Sequence, residues 1–174
     1  MPKLSPKDRV KLVKQLALHE GRRRYPYRCT AGKLSVGGGY NLDDRGLESL
    51  CKAIGRRVTL NDLFKHGLSD AEIDRQINAD IVYFEDRVIQ FFPEYETLDP
   101  IRQRVVVDFA YNLGKRALGF TKAIGALKRK DYTECAFQMM HSLWASQVGD
   151  GEGRRFDRAD RLCEMMKLGE DYKG

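Results

Sequence analysis

The chain has 174 residues, enough for one domain with a substantial core or for one domain built as two closely packed lobes. Its formal charge is +6, and residues 1–40 carry ten Lys or Arg against Asp8 and Glu20 alone, a balance that suits a polyanionic partner or, more simply, a solvated basic face. No arginine-glycine tract, zinc spacing or basic zipper turns that charge into a nucleic-acid signal, and no apolar run approaches the length needed to cross a bilayer.

Ser5-Pro6-Lys7-Asp8 reads as a helix start, with Ser5 as N-cap, Pro6 in the first helical position and Asp8 near the positive end of the dipole. Val10, Val13, Leu16 and Ala17 form the expected apolar stripe, and Gly21 is the stop. From Tyr25 to Tyr40 the chain breaks into short pieces at Ala31-Gly32 and Gly37-Gly38-Gly39. A small antiparallel sheet is expected there, with Leu34 and Val36 facing the core. Gly46 to Ile54 reads as a short helix closed by Gly55. Ser69-Asp70-Ala71-Glu72 has the pattern of a capping box opening a long helix, and Ile73, Ile77, Ile81, Phe84 and Val88 keep helical spacing up to Pro93. Asp99-Pro100 starts another helix whose Val105-Val106-Val107 and Phe109-Ala110 are apolar nearly all round, as in a central buried helix. Helices over 121–130, 132–141 and roughly 155–167 complete a helical lobe.

Chemistry concentrates around Glu20, where a helical pattern stops at a glycine. A carboxylate there lies near the negative end of the helix dipole, a place that suits a proton donor. Cys29, Thr30 and Ser35 follow with a thiol and hydroxyls. Gly37, Gly38 and Gly39 permit positive φ or close backbone approach, but lack the lysine and helix context of a phosphate loop. Cys29 reads two ways from its surroundings: a thiolate nucleophile served by His19 or His141, or a small buried hydrophobe. The cysteines, Cys29, Cys51, Cys135 and Cys163, show no CxxC or Cys/His spacing, so neither a disulfide framework nor a zinc site is expected, and the thiols are expected to be reduced. Trp144, between Leu143 and Ala145, reads as a core anchor rather than a sugar platform.

Glu20, Cys29 and Ser35 reproduce the Glu-x8-Asp/Cys-x5-Thr spacing, with serine for threonine, and the chain resembles the phage-type lysozymes, glycoside hydrolase family 24. Glu20-Gly21, Tyr27, Thr30-x-Gly32, Gly37-x-Gly39 and Asn41-Leu42-Asp43-Asp44 carry the same resemblance. Further matches fall at Tyr111-Asn112-Leu113-Gly114, Gly119-Phe120-Thr121, Trp144 and Arg158-Ala159-Asp160-Arg161-Leu162. The likeness implies a mostly helical, lysozyme-like α+β fold, in which a small β-containing N-terminal lobe is joined by a long helix to a helical lobe. The expected organisation is a single catalytic domain over 1–174, with lobes at about 20–70 and at about 90–174 with the N-terminal helix, and no separate wall-binding domain.

The likeness further implies Glu20, Cys29 and Ser35 as catalytic, with Cys29 where many members carry aspartate on the water side. Thr30, Gly37, Gly39, Asn41, Phe120 and Arg158 are implied as substrate-binding or supporting, Arg158 by orienting the glutamate. The 149–153 loop is longer than usual for the family. No metal and no cofactor are expected. The implied activity is an endolysin muramidase that cleaves the β-1,4 bond between N-acetylmuramic acid and N-acetylglucosamine in peptidoglycan. Alternatives are a lytic transglycosylase on the same bond and a non-catalytic wall-binding structural protein. The Arg22-Arg23-Arg24 cluster with Lys33 suits anionic wall material or outer-membrane surface. Met1-Pro2-Lys3-Leu4-Ser5-Pro6 has no apolar signal core, so a monomer made in the host cytoplasm is expected, reaching the wall through a separate membrane-permeabilising protein.

Overall fold

A computed structural model of the chain describes residues 3–148 and 157–172. Among them are nine α-helices and a three-stranded antiparallel sheet, so the expected mostly helical α+β architecture holds. The order is α1 (Pro6–Glu20), β1 (Arg23–Arg28), β2 (Leu34–Gly37), β3 (Tyr40–Asn41), α2 (Leu42–Ile54), α3 (Leu60–His66), α4 (Asp70–Phe91), α5 (Pro100–Leu113), α6 (Thr121–Lys128), α7 (Tyr132–Met140), α8 (Leu143–Val148) and α9 (Arg158–Leu168). The chain divides into two compact units, residues 9–83, and residues 1–8 with 84–174. The sequence reading grouped the N-terminal helix with the later helices; only the part of α1 up to Asp8 falls in that unit.

In the unit of residues 9–83 the strands run β1-β2-β3, with Tyr27 opposite Ser35 and Ser35 opposite Asn41. The register slips between Arg23 and Tyr27, where Pro26 has no N–H to give to the ladder. Val36 and Ser35 are both buried, so the central strand is covered on both faces, whereas Leu34 at its start is only half-buried, against expectation. The stripe expected on α1 is also corrected. Leu12, Gln15 and Leu16 are buried, while Val10 is 57% exposed. Val10, Val13 and Ala17 instead line a shallow groove with Lys14, Arg22, Asp74 and Asn78.

Helix α2 starts before Gly46, at Leu42, with Asn41 as its N-cap. Gly46 (φ 78°) is a left-handed kink inside it, and its carbonyl accepts from the Tyr40 hydroxyl at 2.8 Å. Gly55 closes it as expected, in the left-handed conformation. The short α3 was not foreseen, although Thr59 and Asp62 form a capping box at its start. The box at the head of α4 is as expected: Glu72 N–H donates to Ser69 Oγ (3.2 Å) and Ser69 N–H to Glu72 Oε2 (2.9 Å).

In the other unit α7 packs against α6 and α9, and α5 against α9. Helix α5 is central, but its buried surface is not all apolar: Gln103, Arg104 and Asp108 are buried beside Val105, Val107, Tyr111 and Leu113. Each charge has a partner, Asp171 for Arg104 and Arg158 for Asp108. Trp144 is the core anchor expected, 2% exposed, with Nε1–H donating to Asn112 Oδ1 at 2.9 Å and Phe109 edge-on at 4.8 Å. Helices α6 and α7 end one or two residues earlier than expected, with Lys130 at φ 58° after the first. Asp157 caps α9, whose expected start at 155 and the 149–153 loop lie outside the described residues.

Candidate functional site

Glu20 is the last residue of α1 and is half-buried. Gly21 (φ 74°) ends the helix, its N–H donating to the Ala17 carbonyl at 3.1 Å. A methyl group added at Gly39 would stand 2.7 Å from Glu20 Oε2 and 3.1 Å from its Cδ. The Glu20 carboxylate therefore rests on bare backbone in the β2–β3 turn, and Gly39 (φ 75°) is doubly required there, for its conformation and for the space. Gly37 (φ 67°) and Gly38 are equally crowded, against Gln76 Oε1 and Ile77 Cγ1, each 2.5 Å from the missing methyl. All three glycines are thus crowded by the protein's own side chains.

Cys29 follows β1 and opens the hairpin turn, where its N–H donates to the Lys33 carbonyl (3.0 Å) and its carbonyl accepts from Gly32 N–H (2.8 Å). The thiol is half-buried and free of any disulfide. Thr30 is exposed in that turn. Ser35 is 3% exposed and its hydroxyl donates to the Lys33 carbonyl at 3.4 Å. It occupies the middle of a cross-strand row, Tyr27–Ser35–Asn41, whose side chains share one sheet face. Asn41 is committed to its cap, Oδ1 accepting from Asp44 N–H (3.0 Å) and Nδ2 donating to Asp44 Oδ2 (2.8 Å).

Tyr27 links these groups. Burial raises the pKa of its phenol, and the charges of Glu20 and Cys29 push it the same way, while Arg23, 4.7 Å over the ring, opposes them. Sequence reasoning named Tyr27 as a companion of the motif and gave it no role. It also missed Gln76, Asp80 and Arg45, which stand behind the glycine turn. The signal for Gln76 and Asp80 was a polar residue every fourth position on α4, hidden beside the apolar series 73, 77 and 81; Arg45, on α2, had none.

The basic cluster is less open than its composition suggests. Arg22 bonds Asp74 at 2.6 Å, Arg24 Nε–H donates to the His66 carbonyl at 3.2 Å, and Lys33 pairs with Asp44 at 3.1 Å. Phe120 and Arg158 belong to the other unit. Phe120 N-caps α6, with Phe109 edge-on at 4.8 Å. Arg158, 6% exposed, is no surface arginine. Its Nε and Nη2 reach Asp108 Oδ1 at 3.0 and 2.7 Å, and Nη2 also reaches the Asp108 carbonyl at 3.3 Å.

A family model described as phage lysozyme matches residues 17–157, which covers Glu20, Cys29, Ser35 and the glycine turn. The chain belongs to the phage lysozyme family. It is accordingly a lysozyme-type hydrolase with peptidoglycan as substrate. The phage lysozyme match stops one residue before Arg158. Among the described residues no group of three or more His, Cys, Asp or Glu is placed to hold a metal ion, and no helix is long and apolar enough to cross a membrane.

Proposed function

We propose that the chain is an endolysin muramidase, hydrolysing the β-1,4 bond between N-acetylmuramic acid and N-acetylglucosamine and so lysing the host cell. Glycoside cleavage needs a proton donor on the leaving oxygen and, opposite it, a group that activates or positions water. Glu20 is the donor. The observation that carries this reading is the seat of its carboxylate, held against Gly39 in a turn that no side chain can occupy without moving it. A preset carboxylate is what general acid catalysis requires, since geometry precedes strength in proton transfer.

On the water side stand Cys29 and Ser35, with Ser35 in the row beside Tyr27. The Ser35 hydroxyl keeps lone pairs to accept from a water while it donates to Lys33. Thr30, Gly37, Gly39 and Asn41 support the site, and Phe120 and Arg158 are carried as supporting residues from the family resemblance. The enzyme acts as a monomer and gains the wall through a separate membrane-permeabilising protein.

One observation favours a second reading. The water-side position holds a thiol where a carboxylate would be the stronger base, and a lytic transglycosylase needs only one acid/base glutamate. The products decide. Mass spectrometry of digested peptidoglycan is expected to show hydrated reducing ends; anhydromuramic ends, lighter by one water, establish the transglycosylase. Glu20→Gln is expected to lower the rate by about two orders of magnitude or more, the scale of a lost general acid. A Glu20→Gln enzyme near the wild-type rate removes the assignment.

A further inference from the structure

Helix α4 buries a row of polar side chains four residues apart, Glu72, Gln76 and Asp80. Buried polar groups are tolerated only where partners meet them, so each member of the row points to something it holds. Glu72 closes its own helix and pairs with Arg56. Gln76, 0% exposed, reaches out of the helix instead: its Oε1 accepts from Gly38 N–H at 2.8 Å, and its Nε2 donates to Asp80 Oδ2 at 2.7 Å. Asp80 is in turn bonded by Arg45, whose guanidinium lies over the rings of Tyr40 (4.8 Å) and Tyr83 (4.0 Å).

The anchored peptide is the middle of the glycine turn. Gly37 and Gly39 on either side adopt left-handed conformations, and three successive glycines have more backbone freedom to lose than any other sequence. On one side the turn is pressed by Gln76 and Ile77 of α4, and on the other Gly39 is the surface on which the Glu20 carboxylate stops. We infer that Gln76 is a positioning residue for the proton donor: by tying Gly38 to α4 it fixes the backbone that sets where Glu20 lies. The inference rests on the reading of Glu20 as the donor. An amide suits the task because one end accepts from the peptide while the other donates to Asp80. An ionised carboxylate lacks the donor and an alkyl group lacks both.

The test is steady-state kinetics on soluble glycan strands of peptidoglycan, per folded molecule, for Gln76→Met, Asp80→Asn, Glu72→Gln and Glu20→Gln. Misplacement of a catalytic group by about 1 Å costs on the order of a hundredfold, so Gln76→Met is expected to lower kcat by about ten- to a hundredfold with KM changed less than about twofold. Glu72→Gln, on the same row but out of reach of the turn, is expected to lower Tm and leave kcat intact. Adding Gln76→Met to Glu20→Gln is expected to cost no further rate, because both act on one step. If Gln76→Met does not fold, Asp80→Asn, which keeps the shape but weakens the acceptor for the Gln76 amide and gives up the ion pair with Arg45 that fixes it, is expected to lower kcat severalfold at constant KM. Wild-type kcat in the folded Gln76 or Asp80 variant, with Glu20→Gln inactive, overturns the inference and leaves the donor assignment standing. A Glu20→Gln enzyme at the wild-type rate overturns both.

Discussion

Asp108 and Arg158 form a buried ion pair, 0% and 6% exposed at the side chain, and it can be taken apart in two ways with opposite consequences. Replacing Asp108 by leucine leaves the Arg158 guanidinium buried without the carboxylate that its Nε and Nη2 both address. Removing one partner of a buried ion pair costs about 3–5 kcal/mol. Unfolding entropy of about 2.1 cal/mol/K per residue gives about 0.37 kcal/mol/K for 174 residues. A loss of about 4 kcal/mol therefore lowers Tm by about 11 °C. Arg158→Met is expected to be costly for the mirror reason. The double replacement removes both desolvated charges and is expected to recover most of the loss, because apolar pairs of similar volume are commonly as stable as buried ion pairs. Urea unfolding followed by Trp144 fluorescence reads the effect in the right place, since Trp144 is the sole tryptophan and lies in the same unit. A single Asp108→Leu within about 1 kcal/mol of wild type refutes the reasoning, as does a double variant no more stable than the sum of the singles. Turnover of the stable double variant then separates two roles. Full activity confines Arg158 to the fold, and inactivity at wild-type stability gives it a part in the reaction.

Glu72 has its pKa lowered, first by the hydrogen bond from Arg56 and then by that from the Ser69 N–H. A lowered folded value means stability present above the unfolded carboxylate range, about 4.3, and lost as pH falls through the folded value. Glu72→Gln is thus expected to be less stable than wild type at pH 7, with the Tm gap closing below about pH 4; a gap independent of pH speaks against the linkage. Burial pushes the Cys135 and Cys163 thiols up to about 12, so iodoacetamide at pH 8 is expected to label Cys29 and Cys51 first and to reach the other two only on unfolding, as read by peptide mass mapping. Cys29→Asp is expected to keep or raise the lytic rate, because a carboxylate is ionised and available as a base near neutral pH. A folded but inactive Cys29→Asp, together with loss of activity on alkylation, would instead mark a thiolate nucleophile.

The elements legible in the sequence were those with local causes. The capping pair Ser69 and Glu72, the starts at Pro6 and Pro100, and the stops at Gly21 and Gly55 all work within a few residues of themselves. Helix α3, with seven residues, is too short to show an apolar stripe, and only its Thr59–Asp62 box announced it. The stripe on α1 was misread because Gln15 is buried and Val10 is exposed, assignments made by what packs on the helix rather than by hydrophobicity. The same limit governs the site. That Gly37 to Gly39 had to be glycine was readable; that Glu20, Gln76 and Ile77 were the reasons was not, since those contacts join residues 19 or more positions apart. Arg22 and Lys33 counted as open charge until their acids, Asp74 and Asp44, were seen beside them.

Helix α4 carries its polar row at 72, 76 and 80 one position behind its apolar row at 73, 77 and 81. Steps of four drift by about 40° on a helix of 3.6 residues per turn, so the anchors fan through about 80° and meet Arg56, Gly38 and Arg45 in succession. A point change on α4 damages one of these meetings. A single inserted or deleted residue between Glu72 and Gln76 would swing the later side chains by about 100° relative to Glu72, so that the row could no longer meet its partners together. The length of this helix is therefore a harder constraint than its composition.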